Sequence, residues 1–132
     1  MWVVKLGGSL DAAGHLGDWA RALGESPPRS RQPLLVVPGG GPFADTVRAA
    51  QQRWPFDDRA AHSMAVLAME QMAHVIRSLA PSLAATDDVT EPLAPSGDRA
   101  ARVWHPRREL LGGGWPDAGR IPCNWDLTSD SL

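Results

Sequence analysis

Lysine is nearly missing from this chain: of thirteen lysine and arginine residues only Lys5 is a lysine, and the other twelve are arginine. Cysteine is as scarce, and the single Cys123 excludes an internal disulfide and fits a reducing, cytoplasmic setting. There is no excess of either charge; a net charge of −2 offers no field for nucleic acid or an acidic membrane, so neither is expected as a partner. Long apolar runs are lacking too, which excludes a bilayer-spanning helix. Lys5 and the glycines after it interrupt what would have to be the apolar core of a signal peptide. Neither an internal repeat nor a low-complexity tract is found. What remains is an ordinary globular composition, 43% hydrophobic and 21% charged over 132 residues, long enough for one domain spanning 1–132.

The order of apolar segments is that of an α/β protein. Met1–Leu6 reads as a short buried strand of the parallel kind, apolar on both faces apart from Lys5. His15–Leu23 has helical spacing at Leu16, Trp19, Ala20 and Leu23, with Gly24 as a stop. A polar loop over Glu25–Gln32 leads to a second buried strand, Pro33–Pro38, ended by Gly39-Gly40-Gly41. Phe43–Arg53 reads as a helix. A longer one runs over Asp58–Leu79, with Met64, Leu67, Ala68, Gln71, Val75 and Leu79 along one stripe. Its methionines Met64, Met69 and Met72 suit core packing or a subunit contact. Thr86–Gly97 is expected to be a surface connection, Ala101–Trp104 a short strand and Arg107–Leu111 a helical turn. Ile121–Trp125 is a brief apolar segment, and Thr128-Ser129-Asp130 opens a further helix. This alternation predicts a right-handed α/β layer on a parallel sheet.

Chemistry concentrates where the two strands end. An ammonium at the end of a buried strand is costly without an anion to pair with it, unless the side chain snorkels to water. Lys5 is followed by Gly7, Gly8 and Ser9, and the second strand by Gly39, Gly40 and Gly41. Both clusters fall at the carboxyl edge of a parallel sheet, where open α/β folds bind ligands. Helix N-termini there offer free N–H groups to anions. Two such cradles with a lysine between them suit in-line phosphoryl transfer, where positioning and charge neutralisation carry the catalysis.

Competing motifs fare worse. There is no G-x-x-x-x-G-K-[ST], so a Walker P-loop is excluded. Gly39-x-Gly41-x-x-Ala44 fits a loose dinucleotide fingerprint, with Asp57 and Asp58 near the spacing of a ribose-binding acid, but no strand delivers them to the sheet edge. Glu70 and His74, one helical turn apart, are expected to be a surface pair, because no further ligand stands at zinc spacing. His62 and His105 have no partner in the sequence pattern, and no metal site is expected.

Val3-Val4-Lys5-Leu6-Gly7-Gly8-Ser9, then Leu35-Val36-Val37-Pro38-Gly39-Gly40-Gly41, then a Thr-Ser-Asp opening a helix, resembles the amino acid kinase family, which includes acetylglutamate, aspartate and uridylate kinases. Within it, Trp125-Asp126-Leu127-Thr128-Ser129-Asp130 is most similar to the small kinases of methanofuran and tetrahydromethanopterin metabolism. Those are similar to the enzyme that phosphorylates an aminomethylfuran phosphate. The resemblance implies a three-layer αβα sandwich around a mainly parallel sheet, using ATP and Mg2+. It implies that Lys5 neutralises the transferred phosphoryl group, Gly7, Gly8 and Ser9 line the nucleotide phosphates, and Gly39, Gly40 and Gly41 hold a small-molecule acceptor. Asp130 matches the aspartate that orients catalytic lysines, and Asp126 is a subgroup candidate for the acceptor.

Family members continue into a second half that supplies most of the nucleotide site, often with a second lysine. This chain is therefore expected to be truncated at its C-terminal side, or completed by a partner or a second copy. The alternatives are a non-catalytic anion-binding or regulatory module of the same fold, and an oxidoreductase domain that binds a dinucleotide.

Overall fold

The computed structural model describes residues 1–25, 33–90 and 101–112. Four strands, β1 (Trp2–Leu6), β2 (Leu34–Pro38), β3 (Ala84–Thr86) and β4 (Ala101–Trp104), form one sheet in the order β1-β2-β4-β3. All three pairings are parallel, with Lys5 opposite Val37, Val36 opposite Val103 and Ala85 opposite Val103. Five helices accompany them: α1 (Gly8–Ala12), α2 (Leu16–Gly24), α3 (Gly41–Arg53), α4 (Asp58–Leu79) and α5 (Arg107–Leu111). The α/β class with a parallel sheet is thus present.

Alternation along the strands sends Val36 to one face and Leu35 and Val37 to the other. The first face carries the larger core, in which Leu6, Val36 and Val103 meet Leu16 and Ala20 of α2 and Met72, Ala73 and Ile76 of α4. On the second, Leu35, Val37 and Trp104 pack with Val66 and Met69 of α4 and Leu110 of α5. α4 contributes to both cores and also runs beside α3, with Ala68 and Met72 against the Gly40-Gly41 turn. Asp57 starts α4 as a side-chain cap, accepting from the Ala60 N–H at 2.7 Å.

Three expectations need correcting. β1 is not buried on both faces: among the described residues it pairs only with β2, and Trp2 and Val3 are 62% and 58% exposed. The buried face of α4 is also rotated from the expected stripe. Ala61, Val66, Met69, Met72, Ala73 and Ile76 are buried along with Ala68, whereas Met64, Leu67 and Leu79 are exposed. Apolar side chains occupy most of this helix's circumference, so the position of the sheet, not the period, selects the buried side. Finally, the surface connection expected from Thr86 is preceded by a strand, β3, whose Thr86 is buried.

Candidate functional site

Two strand-to-helix turns meet at the carboxyl edge. The Gly39 N–H donates to the Leu6 carbonyl at 2.8 Å, which ties the end of β2 to the end of β1. Beyond that bond the turns press together: a Cβ added at Gly8 would stand 3.1 Å from the Gly41 Cα. Part of the demand for glycine here is therefore backbone packing. Gly41 carries a second demand, because its φ of +52° lies in the left-handed region.

Lys5, Gly7, Gly8 and Ser9 line one wall of a cavity of about 530 Å³. Gly39, Gly40, Gly41 and the first turns of α3 form the second wall, and His62, Ala65 and Met69 of α4 the third. The structure therefore brings together every glycine-loop residue and the lysine expected from sequence. The Lys5 side chain is exposed instead of buried in the strand, since its face of β1 is open among the described residues. Reaching a ligand in this cavity needs no deep burial of its ammonium.

The two helices that follow the turns are unequal. α1 has only five residues, so Ser9 stands in a single helical turn with a weak dipole. α3 has thirteen residues, starts from Gly40 without a side-chain cap and carries Pro42 in its first turn. Its first backbone bond runs from the Ala44 N–H to the Gly40 carbonyl at 3.1 Å, and Gly40 and Gly41, ahead of that bond, line the cavity. Arg48 reaches the same cavity while held to Asp45 at 2.7 Å. Burial lowers the pKa of His62 below 6.5, so a neutral imidazole faces the glycine loops near neutral pH.

A second cavity of about 390 Å³ opens on another side of α4, lined by Glu70, His74 and Arg77, the end of β3, and the turn from β4 into α5. Here His105 has the partner that the sequence pattern did not supply. Its Nδ1 lies 2.8 Å from Glu70 Oε1, and its backbone N–H donates to the Thr86 carbonyl at 2.7 Å. Glu70 is therefore not a simple surface partner of His74, whose Nε2 stands 3.9 Å away. Next to this group Glu109, only 4% exposed, accepts from the Trp104 indole N–H at 2.6 Å and the Val89 N–H at 3.1 Å. The sequence pairs Glu70 only with His74 and gives no signal for Glu109, because His105, Trp104 and Val89 lie outside the helices that carry these carboxylates.

Asp57, whose spacing matched a ribose-binding acid, caps α4 instead, and Asp58 accepts from Gln51 Nε2 at 3.1 Å. Asp126 and Asp130 fall outside the described residues, as do Cys123 and the expected helix at Thr128. Among the described residues no helix is long and apolar enough to cross a membrane. No family model and no curated protein matches this chain.

Proposed function

We propose that this chain is the acceptor-binding part of an ATP-dependent small-molecule kinase with the three-layer fold of the amino acid kinases. The observation that carries this reading is the cavity at the carboxyl edge, which gathers Lys5, the Gly7-Gly8-Ser9 turn and the Gly39-Gly40-Gly41 loop. A cation between two sets of backbone N–H groups is what an in-line transfer between two anionic partners requires. The volume, about 530 Å³, suits a small acceptor with the phosphoryl group it receives.

In this reading Gly7, Gly8 and Ser9 take the nucleotide phosphates, and Mg2+ enters with ATP. Gly39, Gly40 and Gly41 hold a carboxylate or phosphate acceptor of the aminomethylfuran phosphate type, with Arg48 and the neutral His62 at its side. An acceptor oxygen forms the new bond to the γ-phosphorus, the bond to the β–γ bridging oxygen breaks, and ADP leaves. Lys5 offsets the charge that moves. Asp130 is assigned to orienting Lys5 and Asp126 to the acceptor, both on the motif resemblance alone.

The test is turnover of Lys5→Ala in the complete, active assembly. Loss of about a hundredfold or more in kcat, with unchanged thermal unfolding, is expected; near-normal turnover overturns the proposal. Calorimetric titration of the chain with MgATP and with phosphorylated small molecules separates the regulatory reading. Binding of phosphorylated compounds with no ATP turnover, in the presence of partner chains, assigns the chain to that second class.

A further inference from the structure

The sequence offers Glu70 and His74 one helical turn apart and nothing to join them; the fold brings His105 across from the end of β4. Ligand atoms of all three residues lie within 4.8 Å of one another. The two imidazole rings meet edge to face, with centroids 4.8 Å apart and planes at 71°, so they do not stack. Both turn a nitrogen toward one carboxylate oxygen, Glu70 Oε1, at 2.8 Å from His105 Nδ1 and 3.9 Å from His74 Nε2. The other carboxylate oxygen is held separately, since the Arg107 backbone N–H donates to Glu70 Oε2 at 3.2 Å. That leaves Oε1 facing the rings, the outer-shell arrangement that orients a ligating carboxylate.

We propose that Glu70, His74 and His105 bind a divalent transition-metal ion of the zinc type. Two imidazole nitrogens and one carboxylate oxygen are a donor set for zinc and its neighbours, not for Mg2+ or Ca2+, which take oxygen ligands. Ligands of one such ion stand about 3 to 4 Å apart, within reach of small rotamer changes from the present spacing. The three residues differ in exposure, the side chains of His74 and Glu70 being 66% and 19% exposed. His105 is 8% exposed, and its Nε2 is buried with no hydrogen-bond partner among the described residues. Coordination through Nδ1 moves the ring proton to Nε2 and leaves His105 neutral.

The site is open on one side, because three protein ligands leave a fourth position facing the 390 Å³ cavity. Arg77 and Arg107 on the rim oppose a bare cation and favour an ion that carries an anion in that position. The ion would pin α4 to the turn between β4 and α5. None of this depends on phosphoryl transfer at the other cavity.

Titration of the whole chain with Zn2+ by calorimetry, and with Co2+ by visible absorption, tests the proposal. Saturation at one ion per chain at micromolar metal, undisturbed by millimolar Mg2+, is expected. His74→Ala alters a side chain that is 66% exposed, so the fold survives it, and affinity should drop by more than about tenfold. The double change His15→Asn with His62→Asn should retain wild-type affinity and stoichiometry. Absence of saturable binding, or equal affinity of the wild type and His74→Ala, overturns the site.

Discussion

Gly41 holds φ at +52°, and a Cβ placed on it would stand 2.9 Å from Met72 Sδ. Two separate penalties therefore meet at one position: left-handed backbone strain for any L side chain, and a clash with a methionine only 2% exposed. Gly41→Ala should lower unfolding stability by about 2–3 kcal/mol, measured by urea denaturation. A loss within about 0.5 kcal/mol would show that the turn relaxes without effort. At Gly8 the obstacle is different in kind, because what an added methyl meets is the Gly41 backbone. A flexible side chain swings away; a main-chain carbon carries its whole turn with it.

Between elements, the buried carboxylate of Glu109 joins the chain at three places. It lies on α5, takes the indole N–H of Trp104 on β4 and takes the Val89 N–H beyond β3. Glu109→Ala leaves both donors without this acceptor in a buried setting, so a loss of about 2–4 kcal/mol is expected in denaturant unfolding. Glu109→Gln keeps one acceptor oxygen and should lose less; equal losses would argue against the bonding account. Such cross-links explain which parts of the fold the sequence exposes. α4, β4 and α5 stand where helical period, β-branching and proline punctuation place them, and β1, α2, β2 and α3 within one or two residues. α1 escapes notice because Gly8-Ser9-Leu10-Asp11-Ala12 is one turn with no period. β3 escapes because Ala84-Ala85-Thr86 is too short to alternate and is a strand by virtue of pairing with β4. The glycine cavity was legible because each of its two turns is local in sequence and both strands point the same way. The His105 contact to Glu70 spans 35 positions and has no local signature.

Over the whole molecule, acidification should act through His62. Burial holds its folded-state pKa below 6.5, so as pH falls the unfolded chain takes up a proton before the folded one does. Stability from this group is then level above pH 6.5 and declines as pH drops through 6.5 toward the folded value. His62→Gln should flatten that part of the profile, read as the difference between the two proteins' thermal midpoints across pH. Parallel profiles would count against it. The histidine also stands across the cavity from a junction with an architectural effect of its own. Where β1 and β2 deliver their turns, main chain rests on main chain, joined by the bond from Gly39 to Leu6. Such a junction has no rotamers to exchange, so the gap between the two loops is a fixed gauge. Evolution or design can repaint the cavity's far walls on α3 and α4, and so change which molecule enters, without altering how far apart the two loops stand.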